Sequence, residues 1–221
     1  MSTQTERRLY YFTPPSHALE NLQDKRLKVS RFSDCNDPFE LASFSQENKE
    51  VRRQFRKWLN YMDTKYGLIC FCKTWQNPVM WAHYAANHTG VCYGFDVDPG
   101  LPIDVRYVSE RLHPDATPEN FINLVRKEQI EDFVATKFIH WSYEQEARVL
   151  IDLLDDKPTD QLVFEDFSDT FRLREVIIGF KSDIKVSDVT AAVADDKIEV
   201  FKSRPAFQTF SIVRQKNKRK W

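Results

Sequence analysis

The sequence predicts an α+β fold: a mixed, mostly antiparallel sheet core with flanking helices. Three observations predict it. Apolar residues make up 42% of the chain, enough for a packed interior. Short apolar or alternating runs of strand length recur from the start of the chain to its end. Helical patterns interrupt them, but without the regular alternation that a doubly wound parallel sheet requires.

Each element has its own signal. Residues 9–12 are a short aromatic run that reads as a first strand, broken by Pro14 and Pro15. Ser16 stands where it would cap a short helix to residue 22. Residues 26–30 alternate, with Leu27 and Val29 on one face, and read as a second strand. Residues 31–40 hold Ser33, Asp34, Asn36, Asp37 and Pro38, the chemistry of a loop. Residues 47–63 form the clearest helix, because Val51, Phe55, Trp58, Leu59 and Met62 fall on one stripe. An apolar strand follows at 67–72, and Pro78 suits the first turn of a short helix to residue 86. Residues 91–97 read as a strand closed by Asp98-Pro99-Gly100. Thr117 before Pro118 starts a helix that carries Phe121, Leu124, Val125, Phe133, Val134 and Phe138 to about residue 140. Strands then dominate, at 147–152, 162–164, 176–179, 198–202 and 207–213, interrupted by a helix at 187–193.

A chain of 221 residues suits one domain, assigned to 1–213, followed by a basic tail at 214–221. With 32 basic and 33 acidic residues, the net charge of -1 gives no global field to steer nucleic acid onto the protein. The tail is the local exception, with Arg214, Lys216, Lys218, Arg219 and Lys220. It reads as a solvated terminus, a nucleic-acid contact being the alternative. No run of about 18 apolar residues exists, so no membrane partner is expected. The polar first eight residues lack the apolar region of a secretory signal. Cys35, Cys70, Cys72 and Cys92 lack the spacing of a disulfide framework, which points to the cytoplasm.

Several familiar sites are missing. Five glycines leave no room for a Gly-rich phosphate loop, and no Gly-x-Ser-x-Gly elbow is present. Cys70 and Cys72 share one face of a strand, with His83 and His88 nearby in sequence. Their spacing matches no strong zinc pattern, and free cysteines commonly pack as small hydrophobes, so no metal is expected.

Three segments depart from ordinary packing. Asn36-Asp37-Pro38-Phe39 is a polar loop fixed by a proline, whose plain role is a turn. In Met80-Trp81-Ala82-His83-Tyr84-Ala85, helical spacing puts Trp81, Tyr84 and His88 on one face. The plain role is a core helix; the sharper one is a stacking wall for a planar ligand, with His83 or His88 as hydrogen-bonding partner. In Trp141-Ser142-Tyr143-Glu144-Gln145-Glu146-Ala147-Arg148, extended backbone would point Glu144, Glu146 and Arg148 to one face. Paired carboxylates repel unless a cation sits between them, and Arg148 is the cation at hand. The plain role is a surface ion-pair ladder on an edge strand. The flanking aromatics suggest instead a half-buried acidic site, suited to general-base work or to ribose hydroxyls.

Together these segments resemble the bacterial family catalogued as domain of unknown function 2971. The carrying residues are Leu9-Tyr10-Tyr11-Phe12-Thr13, Cys35-Asn36-Asp37-Pro38-Phe39, Cys70-Phe71-Cys72, Met80 to Ala85 with His88 and Gly90, Trp141 to Arg148, and Val176 to Gly179. The pattern departs at Phe12 for Tyr, Cys35 for Phe and Cys72 for Ser. The order of elements is also similar to that of ADP-ribosyltransferases: an aromatic first strand, a central Ser/Thr strand and a late Glu-x-Glu strand. Here Cys72-Lys73-Thr74 stands in place of the central Ser-Thr-Ser, and the predicted first strand holds no arginine, although Arg7 and Arg8 are close. That resemblance implies NAD as substrate, with Glu146 on the nicotinamide ribose and stabilising an oxocarbenium-like transition state. It implies Glu144 facing the acceptor and Tyr11 lining the nicotinamide pocket. Asn36, Asp37, Trp81, His83, Tyr84 and Arg148 join them as candidate binding residues. Such domains often serve as toxins or phage-defence effectors. Two other classes fit the same residues. One is a non-catalytic nucleotide- or protein-binding module. The other is a metal-dependent nuclease or nucleotide hydrolase using Glu144, Glu146 and Asp37.

Overall fold

The chain enters its central sheet at once. β1 (Arg7–Thr13) is an interior strand, flanked antiparallel by β3 (Tyr66–Cys72) and β4 (Val91–Val97). Beyond β3 lie β8 (Glu146–Asp152) and the short β5 (Ile103–Asp104), both antiparallel pairings. Beyond β4 lie β10 (Phe171–Ile178), β11 (Glu199–Pro205) and β12 (Ile212–Arg214). Only β10 and β11 run parallel in this sheet, and the helix Val186–Val193 provides their crossover. The sheet therefore has the mixed, mostly antiparallel form that the sequence predicts. Two small sheets flank it: β2 (Arg26–Val29) with β9 (Val163–Asp166), and β6 (Arg106–Val108) with β7 (Thr136–Phe138). The coordinates are a computed structural model that describes residues 6–112, 117–125, 132–153, 162–217 and 219.

The helices are α1 (Pro15–Gln23), α2 (Lys49–Lys65), α3 (Pro78–Tyr84), α4 (Phe121–Leu124) and α5 (Val186–Val193). Ser16 does not cap α1: Pro14 takes the cap position without a side-chain bond, and the missing N–H of Pro15 costs nothing in the first turn. α2 begins two residues later than its apolar stripe suggests. Asn48 sets that start, its Oδ1 accepting from the N–H groups of Glu50 (2.8 Å) and Val51 (3.3 Å).

Two expectations fail in part. The helix expected over 117–140 holds only in part: α4 and residues 132–134 are helical, but Thr136–Phe138 is strand β7, followed by a 3₁₀ segment at Ile139–Glu144. Residues 126–131 lie outside the described residues. Phe121, Val125, Phe133 and Val134 are buried together, so the helical period located the core face but not where the helix ends. The strand expected over 207–213 holds only at its end. Phe207 and Phe210 are exposed in the turn between β11 and β12. Arg214, assigned from sequence to the tail, ends β12 and pairs with Glu199. Lys218 and Lys220 of that tail lie outside the described residues.

Strand alternation divides the sheet into two faces. Leu9, Phe71, Tyr93, Phe95, Val149 and Val176 bury on one face, with α1, α5 and β2 packed over them. The other face carries two separate clusters. α2 covers Leu68 with Phe44, Phe55, Trp58 and Met62. α3 brings Trp81 and Ala85 over Cys92, Ile177 and Phe201. In the register, Tyr10 faces Cys72, Cys72 faces Glu146, and Cys70 faces Arg148, so these side chains share the second face. They fall between its two clusters, where the sheet floor is polar.

Candidate functional site

A cavity of about 380 Å³ opens over this floor. That volume lies in the range of small-molecule sites, roughly 300–1,000 Å³. Its walls come from β1, the loop before α2, β3, α3, β7 and the start of β8. Tyr10, Phe12, His83 and Tyr84 supply the aromatic lining, and Cys35, Cys70 and Cys72 line it with thiols; Phe71 borders it by its backbone, its ring packing in the opposite core. Burial pushes Cys35 up to about 12 and Cys72 up to about 11, and holds Cys70 well above the usual thiol range. The thiols therefore stay protonated and are not nucleophiles here.

The polar end is a continuous chain of charged hydrogen bonds. Asn36 Nδ2 donates to the Tyr84 hydroxyl at 2.8 Å, and that hydroxyl donates to Glu144 Oε1. Lys137 Nζ donates to Glu144 Oε2 at 2.6 Å and to Glu146 Oε2 at 3.2 Å. Arg148 binds Glu146 through Nε (2.8 Å) and Nη2 (3.1 Å). Its Nη1 and Nη2 also bind Glu40 in a fork, at 2.6 and 2.9 Å, and Nη1 donates to the Val134 carbonyl at 2.6 Å. Every N–H of the guanidinium is thus used. Glu144, Glu146 and Arg148 are 3%, 4% and 0% exposed. The expected surface ion-pair ladder on an edge strand, and the half-buried acidic site set against it, are both corrected to a fully buried network, with β8 paired on both sides.

The two carboxylates sit in different electrostatic settings. Burial would raise Glu146, but Arg148 and Lys137 outweigh it and hold its carboxyl at about 2. Glu144 is raised above the usual carboxylate range, because burial exceeds the opposing help from Lys137 and Tyr84. Lys137 stays charged: the attraction of Glu146 and Glu144 outweighs its burial. The ring of Trp141 lies 4.9 Å from the Lys137 ammonium, a cation–π contact at the back of the site.

The backbone explains how two carboxylates meet on one lysine. Glu144 ends the 3₁₀ segment, Gln145 turns left-handed (φ 44°, ψ 51°), and Glu146 starts β8. Glu144 is therefore not in extended backbone, and the shared-face argument from alternation does not hold for it. Its partner cation is Lys137, not Arg148 as expected. Lys73 N–H bonds the Gln145 carbonyl at 3.0 Å, Asn77 Nδ2 bonds the Tyr143 carbonyl at 2.7 Å, and the Tyr107 hydroxyl accepts from the Glu146 N–H at 2.8 Å.

Of the residues singled out from sequence, Asn36, His83, Tyr84, Glu144, Glu146 and Arg148 come together around this cavity. Three others take different places. Trp81 is fully buried in the α3 cluster, its Nε1 donating to the Trp75 carbonyl at 2.6 Å and its edge against Phe12. It is not a wall residue: Met80, His83 and Tyr84, spaced as one helical face, are the α3 residues lining the cavity. His88 lies beyond the helix at φ 71° and stacks on Trp81, away from the cavity lining. Asp37 is buried and does not line the cavity; its Oδ1 accepts from Phe39 N–H at 2.9 Å and so holds the turn. Tyr11 borders the cavity, but its ring packs in the opposite core against Tyr93 and Phe71. Glu40 and Lys137 were missed. Glu40 follows the Asn-Asp-Pro-Phe block directly, and Lys137 interrupts an apolar run, so both signals were present in the sequence. Among the described residues no group of three or more His, Cys, Asp or Glu is placed to hold a metal ion. No protein-family model, curated protein or solved structure matches the chain.

Proposed function

We propose that the cavity binds NAD or a related nucleotide and that the chain acts at the bond between base and ribose, as an ADP-ribosyltransferase-like protein. One observation carries this reading: two buried carboxylates share Lys137 at the polar end of an aromatic-lined cavity, with their proton affinities pushed apart. Such separation divides roles between a group that exchanges a proton and one that stays ionised. Glu144 is the exchanging group. As the C–N bond breaks, nicotinamide leaves with the bonding pair, an acceptor hydroxyl attacks the ribose carbon, and its proton passes to the Glu144 carboxylate. Glu146, tied to Arg148 and Lys137, is the fixed anion that sets Lys137 in place. The resemblance alone gave Glu146 the leading role; its two cations shift that role to Glu144. A toxin or phage-defence setting rests on the same resemblance.

Incubation with NAD followed by mass spectrometry tests the reading. Wild-type protein should release nicotinamide, and Glu144→Gln should lower the rate by roughly 10²-fold or more, as for loss of a general base. No release by the wild type overturns the transferase assignment. The alternative is a non-catalytic binding module, favoured by the saturated Arg148; NAD would then raise the melting temperature without turnover. A divalent-metal hydrolase is less well supported, because Lys137 occupies the place between the carboxylates and Asp37 lies outside the cavity lining.

A further inference from the structure

The charge lining the cavity narrows what it accepts. Four carboxylates line it, Asp34, Glu40, Glu144 and Glu146, against two cations, Lys137 and Arg148. The formal balance is minus two, or minus one when Glu144 holds its proton. Neither cation is free for an anionic ligand. Arg148 spends all its N–H groups on Glu40, Glu146 and the Val134 carbonyl. Lys137 bridges Glu144 and Glu146 and backs onto Trp141. A phosphate entering this space would bring about −1.5 to −2 charges beside buried carboxylates, with no unspent arginine or lysine among the described lining residues to meet them. A cation meets the opposite situation. The ionised Glu146 and the rings of Tyr10 and Tyr84 attract it, and the reduced polarity of a partly enclosed cavity strengthens that attraction.

We infer that the cavity takes a planar cationic heterocycle joined to an uncharged sugar, and that any phosphate of the ligand stays outside it. The inference rests on the reading of the cavity as a nucleotide site and specifies which part of a nucleotide enters. The ribose hydroxyls face Glu144 and Asn36, and the heterocycle lies among the aromatic rings.

Calorimetric titration of the wild-type chain with three probes tests it. The first is nicotinamide riboside, a planar cation on a neutral sugar. The second is its reduced form, nearly the same shape without the charge. The third is nicotinamide mononucleotide, which adds a phosphate. Nicotinamide riboside should bind about tenfold or more tighter than the reduced form, the size of a desolvated cation–π and charge attraction. It should also bind tighter than the mononucleotide. Equal or tighter binding of the mononucleotide overturns the inference and leaves the nucleotide-site reading standing. Equal binding of the two ribosides overturns the cation preference in the same way. If none of the three binds, both the inference and the nucleotide-site reading fall. Arg148→Lys leaves three N–H groups for five acceptor contacts, so carboxylate oxygens of Glu40 and Glu146 lose their partners; with far-ultraviolet circular dichroism preserved, the gap between riboside and mononucleotide should widen, and a narrowed gap overturns the role of cation saturation.

Discussion

Glu146 joins the sheet to the polar floor through one carboxylate. Removing its charge leaves Arg148 and Lys137 buried with fewer partners, so Glu146→Gln should cost about 3–5 kcal/mol in urea unfolding, the scale of a broken buried pair. The sequence suggested a half-buried acidic site, where such a loss would cost little; the full burial of Glu146 reverses that expectation. The pH dependence has a definite sign. The folded-state value of Glu146 lies at about 2, below the ordinary 4.5. Its contribution is therefore present above pH 4.5 and is lost as pH falls toward 2. Acid unfolding of wild type and Glu146→Gln should converge in that window, which a melting series in pH would record. Glu144 behaves oppositely in ligand binding. Its carboxyl is raised by burial and by Glu146, and a bound cation adds to Lys137 and Tyr84 in favouring its ionised form. Affinity for nicotinamide riboside should rise with pH through the Glu144 titration, and Glu144→Gln should flatten that rise. Much of this site was legible at the residue level, because Glu144, Glu146, Arg148, Tyr84 and Asn36 carry polar groups at unusual positions beside aromatics. Lys137 and Glu40 stand out only as charges beside an apolar run and the Asn-Asp-Pro-Phe block, since nothing local shows which carboxylate or guanidinium a buried charge will meet.

At the scale of elements, caps and close approaches decide boundaries. Asn48→Ala removes the acceptor for two free N–H groups of α2 and should cost about 1 kcal/mol by urea denaturation. Gly90 and Gly179 join the end of β4 to the end of β10, with Gly179 N–H donating to the Gly90 carbonyl at 2.9 Å. A Cβ on Gly90 would overlap the Thr13 carbonyl, and one on Gly179 the His88 carbonyl. These are backbone atoms with little room to yield. Gly90→Ala should therefore destabilise by about 1–3 kcal/mol or more, while Gly100→Ala, which meets only the Asp98 side chain at 3.4 Å, should be near neutral. Strands 91–97 and 66–72 were legible because they are apolar and bounded by turns. The 117–140 segment was not. Its buried residues repeat at helical spacing, yet Thr136, Lys137 and Phe138 are drawn into a parallel pairing with β6. That pairing depends on residues about thirty positions earlier, which local periodicity does not report.

For the whole molecule, the sheet separates stability from chemistry. One face is a continuous apolar core, and the other is split between the α2 and α3 clusters. The gap between them places Glu144, Lys137, Glu146, Arg148 and Glu40 at the bottom of one aromatic-lined cavity. Fold class was readable from mixed periodicities, because a sheet with both faces covered needs such runs. The split of the second face was not, since it depends on which helix covers which strands. The central claim is that Glu144 and Glu146 form the chemical end of a ligand site with divided protonation. Carbon-13 NMR of the glutamate carboxyls, titrated with and without nicotinamide riboside and assigned with Glu144→Gln and Glu146→Gln, measures it directly. Glu144 should titrate above the ordinary carboxylate range and shift downward when the riboside binds, while Glu146 stays ionised to about pH 2. Two carboxyls that titrate together near the ordinary 4.5, unchanged by the riboside, would contradict the account.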